Sequence, residues 1–105
     1  MIRSLVHAAV LAAAAAAAAS ASPAPLKVKE AEKGLLAKAK ITAEDALKTA
    51  QAKVAGETLK EAEIENEDGK LVFSFEFVKK GAKGIDEVNV DALTDDVVSV
   101  EHEGK

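Results

Sequence analysis

The run Leu71-Val72-Phe73-Ser74-Phe75-Glu76-Phe77 holds every aromatic side chain of the sequence: three Phe at alternate positions, in a chain with no Trp and no Tyr. A period of two belongs to an extended strand, whose successive side chains leave on opposite faces. The three rings therefore share one face, which is either an adhesive surface or the centre of a small core. Each buried Phe contributes about 1.5–3 kcal/mol. A domain near the lower size limit for one core has few apolar residues to leave in water. The core is the expectation.

Upstream, Asp68-Gly69 separates this run from the alternating Lys60-Glu61-Ala62-Glu63-Ile64-Glu65. Asp-Gly between alternating runs signals a two-residue hairpin, because both central positions of a type I′ turn need positive φ. With those two residues as the loop, Glu67 faces Lys70, Ile64 faces Phe73 and Ala62 faces Phe75. The other side sets Glu61, Glu63 and Glu65 against Glu76, Ser74 and Val72. Downstream, Lys80-Gly81-Ala82-Lys83 turns the chain so that Val88 opposes Phe75 and Val90 opposes Phe73. Ala92 to Asp96 then leads into Val97-Val98-Ser99-Val100-Glu101-His102-Glu103, with Val98 and Val100 on one parity.

A helix precedes the hairpin. Thr42 is placed as its N-cap, Glu44 and Asp45 favour its N-terminus electrostatically, and Ile41 can staple onto Ala46. Ala43, Ala46, Leu47, Ala50 and Val54 form an apolar stripe at helical period, and Gly56 supplies a left-handed stop. A stripe this rich in Ala lets a helix lie close to a sheet. The expected fold class is α+β: one main helix packed on a four-stranded antiparallel meander, with a weaker N-terminal helix suggested by Val28, Ala31, Leu35 and Ala39 and interrupted by Gly34.

The first residues read as an export signal. Arg3 precedes an apolar run from Leu5 to Ala19, and Ala19-Ser20-Ala21 fits a small-residue cleavage site. A membrane anchor is the competing reading, but the run falls short of the roughly 18–20 residues that span a bilayer. The expected organisation is a signal peptide over 1–21, a linker and weak helix over 22–37, and one domain over 38–103. Loss of Arg3 with the leader takes the formal charge from −4 to −5. Scattered Lys on an acidic chain argue against nucleic acid and anionic lipid as partners, which are bound through clustered positive charge. With no Cys in the sequence, packing alone must hold the fold together.

Little in the sequence suggests catalysis. Only His102 remains once His7 leaves with the leader, no Ser sits in a strained glycine-flanked turn, and Gly81 and Gly84 lack the spacing of a phosphate loop. We therefore expect no catalytic residues and no cofactor. Asp91, Asp95 and Asp96 around a turn are candidate ligands for a hard cation. The Glu61, Glu63, Glu65 row is another, and His102 between Glu101 and Glu103 a third, although turn-forming and solvated roles explain all of them. The outward parity of the sheet, with Glu61, Glu63, Glu65, Val72, Glu76 and Val78, is a candidate partner surface. Val97 is expected on that parity too. The segment Leu26–Lys40 would either cover this face or leave it open, and an exposed edge strand could accept an extended peptide.

The helix opening Ile41-Thr42-Ala43-Glu44-Asp45-Ala46, the hairpin at Asp68-Gly69-Lys70 and Val90-Asp91-Ala92-Leu93-Thr94 before the last strand together resemble the PepSY domain, over about Lys38 to Glu103. Family members commonly place Gly where this chain has Asp95. The resemblance implies a helix-plus-antiparallel-sheet module of exported bacterial proteins, found also in propeptides of thermolysin-like peptidases, with no catalytic residues in its pattern. It thus implies a non-enzymatic periplasmic or secreted binding module whose partner is another extracytoplasmic protein, with a peptidase as one candidate. The alternatives are a divalent-cation binder and a self-associating structural protein.

Overall fold

The computed structural model describes residues 26–104, so the expected signal peptide lies outside the described residues. Its elements are β1 (Lys29–Glu30), a single 3-10 turn (Leu36–Lys38), α1 (Ala43–Gln51), β2 (Thr58–Glu67), β3 (Lys70–Val78), β4 (Ile85–Asp91) and β5 (Val97–Glu103). The strands form one sheet in the order β1-β2-β3-β4-β5, antiparallel throughout except for the parallel pairing of β1 with β2.

The hairpin takes the register that its turn dictates. Asp68 and Gly69 have φ of 52° and 83°, and Glu67 pairs with Lys70, Ile64 with Phe73, and Ala62 with Phe75. On β4, Val88 and Val90 pair with Phe75 and Phe73 as expected. All three Phe are fully buried, with neighbouring ring centroids 6.1 and 6.4 Å apart. Above them lies α1. Thr42 caps it by accepting from the Asp45 amide at 3.0 Å, while Ala43, Ala46 and Ala50 are buried in the same cluster as the Phe. Methyl-sized side chains let the helix backbone approach the aromatic layer closely, at the dense packing expected of an interior.

Three expectations are corrected. The sheet has five strands rather than four, because Lys29 and Glu30 pair with Glu63 and Ile64 along the free edge of β2, and the Ala31 amide donates to the Ile64 carbonyl at 3.0 Å. The weak N-terminal helix is not formed. Gly34 takes φ of 91°, incompatible with a right-handed helix, and only one 3-10 turn follows it. Finally, Val97 packs against the helix-side core instead of facing outward. A bulge between Asn89 and Val90 makes Val97, rather than Val98, the partner of Val90. One extra residue on one strand shifts the parity of everything before it.

Helix α1 is also shorter than its stripe implies. It ends at Gln51, and Val54 enters the core from the turns that follow, with Gly56 at φ 86°.

Candidate functional surface

With the core on the helix side, the opposite face of the sheet carries the expected partner residues. Glu61, Glu63 and Glu65 pair across the strands with Glu76, Ser74 and Val72. Beyond β3, Glu87, Asn89 and Asp91 of β4 continue the face, and Ser99 and Glu101 of β5 complete it. Carboxylates from four adjacent strands therefore stand on one surface. Among the described residues, two lysines answer them with ion pairs: Lys29 with Glu61 at 3.1 Å and Lys70 with Asp91 at 3.8 Å. Burial among neighbours pushes the Glu65 carboxyl above the usual carboxylate range, with Glu63, Glu67 and Glu87 adding repulsion. Burial does the same to Glu76, reinforced by Glu61, Glu87, Glu103 and Glu63.

The floor of this face is not apolar throughout. Val72 is 1 % exposed and Ser74 6 %, and Ser74 Oγ donates to Glu87 Oε2 at 2.8 Å. Asn89, also 1 % exposed, donates through Nδ2 to Ser99 Oγ at 2.9 Å and leaves its buried Oδ1 without a partner. A shallow groove runs over Val72 between Glu67 and Lys70 on one side and Val98, Ser99 and Glu101 on the other. Val78 is half-buried at the far end of β3. The segment Leu26–Lys40 does not cover the face. Leu26, Val28, Leu35 and Ala39 pack with the helix-side core instead.

The turn that carries Asp91, Asp95 and Asp96 uses its carboxylates internally. Asp91 Oδ1 accepts from the amides of Leu93 and Thr94 at 2.8 and 3.1 Å, Asp96 Oδ2 accepts from Thr94 Oγ1 at 3.0 Å, and Asp95 Oδ1 accepts from Thr49 Oγ1 of α1 at 2.8 Å. These are the hydrogen bonds of an Asx-type turn locked to the helix. The carboxylates that do converge are Glu87, Glu101 and Glu103, whose oxygens approach within 4.8 Å of one another. No sequence pattern marks that trio, because Glu87 joins the other two only through the β4–β5 register.

His102 is not a partner of this trio. Its Nδ1 lies 2.6 Å from Asp86 Oδ1, on the helix side of the sheet, where Asp86 pairs across from Phe77. The bond from His102 holds the Asp86 carboxyl below its ordinary range, and Glu57 adds to this. Burial and the proximity of Asp86 push Glu57 upward.

Helix, hairpin meander and an open acidic face define a small α+β module. The sequence profile of PepSY, the peptidase propeptide and YPEB domain, matches residues 40–101, more than half of the chain, and the protein belongs to that family. No curated protein and no solved structure matches it. The family is one of propeptide- and inhibitor-like binding modules.

Proposed function

We propose that this chain is an exported, non-enzymatic PepSY module that binds another extracytoplasmic protein through the outer face of its sheet, and that a peptidase is the partner class. The observation that carries this reading is the uncovered face itself. It presents Glu61, Glu63, Glu65, Glu76, Glu87 and Glu101 from four strands, at an energetic cost that burial and mutual repulsion make visible at Glu65 and Glu76. A complementary surface would offset their repulsion. The family supports the choice of a peptidase, since its description is that of a peptidase propeptide domain. Export rests on the leader read in residues 1–21 and agrees with the extracytoplasmic setting typical of the family.

The alternatives stand lower. A cation at Asp91, Asp95 and Asp96 would have to displace the turn hydrogen bonds that occupy those oxygens. Self-association through the outer face would bring two acidic surfaces together. The test is the hydrolysis rate of a secreted thermolysin-like metallopeptidase with increasing amounts of the full chain. Inhibition that reaches a stoichiometric end point, and that weakens with Glu61→Lys and Glu76→Lys, is expected. Unchanged hydrolysis, with the two proteins eluting separately in size exclusion, would reject a peptidase as the partner.

A further inference from the structure

The two edges of the sheet are treated differently. At one, β1 pairs with β2 and the leading segment packs beside it. At the other, β5 is the last strand, with no neighbour beyond it among the described residues. An open edge presents a row of unpaired amides and carbonyls, and proteins commonly guard it with charged side chains, especially Lys, with Pro, a bulge or a short strand; the charges on β5 are the acidic Glu101 and Glu103, which repel like charge and attract basic partners. Strand β5 spans seven residues and contains neither Lys nor Pro. Its bulge is confined to the Val97 end. From Val100 to Glu103 the strand is regular, pairing with Val88, Glu87, Asp86 and Ile85 in turn.

The two sides of this edge differ in chemistry. On the helix side Val100 is 49 % exposed although its partner Val88 is fully buried, because the core stops short of the edge. On the outer side Glu101 and Glu103 stand with Glu87, their oxygens within 4.8 Å of one another. None of the three forms an ion pair among the described residues. Next along the same side, Asn89 is 1 % exposed and its Oδ1 lacks a donor. The exposed carboxylates of β5 call for positive charge.

We propose that the β5 edge binds an extended protein segment by adding it as a sixth strand, and that the segment alternates basic with apolar side chains. Backbone pairing supplies the docking. Alternation places Lys or Arg beside Glu101 and Glu103, with Glu87 one strand behind them, and the intervening apolar residues beside Val100 and His102, since neighbouring strands share the two-residue period. A second copy of this chain fits less well, for its own β5 would bring Glu101 and Glu103 to the same outer face. This inference rests on the reading of the protein as a binding module and names the element and the partner chemistry.

The test titrates the ¹⁵N-labelled full chain with an acetylated and amidated heptapeptide alternating Lys and Val, followed by amide chemical shifts. Shifts centred on Val97–Glu103 are expected, together with loss of binding when alternate peptide amides are N-methylated. Affinity should fall about fivefold or more in the Glu101→Gln/Glu103→Gln double variant, and further with added salt. Glu101 and Glu103 are exposed, so this variant keeps its fold. Absence of binding, shifts confined to the β2–β3 outer face, or equal binding of the N-methylated peptide would overturn the proposal, as would concentration-dependent dimerisation through β5. A chain that binds the peptide at β5 and inhibits no peptidase retains this inference and loses the peptidase reading. Peptidase inhibition without peptide binding at β5 removes the edge proposal alone.

Discussion

At Asp95 the backbone takes φ of 73°, a conformation that costs a residue with a Cβ roughly 1–2 kcal/mol and that Asp tolerates better than most. The same side chain accepts from Thr49 of α1 at 2.8 Å, so the residue that strains the turn also ties it to the helix. A Gly at this place would relieve the strain and lose the tie. Asp95→Ala is expected to lose both advantages, destabilising the fold by about 1–3 kcal/mol in urea unfolding, and Asp95→Gly to cost less. Equal losses would assign the whole effect to the hydrogen bond. Turn-forming Asp was legible in the sequence, and so was its tolerance of positive φ. Its helix partner was not, because Thr49 and Asp95 lie 46 positions apart and no pattern in the intervening sequence pairs them.

Among elements, the hairpin was the most legible. Asp68-Gly69 fixes the loop, alternation fixes the faces, and the two agree for every pair from Ile64–Phe73 to Ala62–Phe75. What escaped are the features without a period. Strand β1 is two residues long, too short to alternate, and its position follows from the packing of Leu26, Val28 and Leu35 against the core. The bulge that turns Val97 inward is one residue long and depends on the β4 register. Helix α1 was recognisable from its cap and Ala stripe, which carry a packing prediction. Ala46 has no exposed surface, so Ala46→Leu would force the helix from the sheet and cost about 1–3 kcal/mol. By contrast, Gln51→Ala at an exposed position of the same helix should stay within about 0.5 kcal/mol. Calorimetric unfolding of the two variants compares them directly, and a harmless Ala46→Leu would mean that the helix does not press on the Phe layer.

Over the whole molecule, the two sides of the sheet have opposite roles. One spends Phe73, Phe75, Phe77, Val88 and Val90 on a core closed by α1; the other gathers carboxylates that Lys29 and Lys70 compensate only in part. The acidic parity of this face was legible from alternation. Its full extent was not, since the contribution of β4 and β5 depends on registers that set Glu87 beside both Glu76 and Glu101.

A face short of counter-charge has a thermodynamic signature. Glu65 and Glu76 have folded-state pKa values raised above their unfolded values. Between the unfolded value, about 4.3 for Glu, and the raised folded value, the native state holds more protons than the unfolded chain. Stability from these groups is therefore gained as pH falls from neutrality through that window, and is complete below it. Asp86 has the opposite sign, because its folded pKa is lowered. Its contribution is present above about 3.9 and disappears only at more acid pH, outside the range in which the glutamates act.

Thermal unfolding of the full chain between pH 7 and about pH 4.3, the lower end of that window, thus tests most directly whether the outer face is left short of counter-charge. The melting temperature should rise as the solution is acidified, and the rise should shrink in the Glu65→Gln/Glu76→Gln variant. A melting temperature that stays level or falls over that range in the unaltered protein would show carboxylates already compensated, and would contradict an acidic face kept open for a partner.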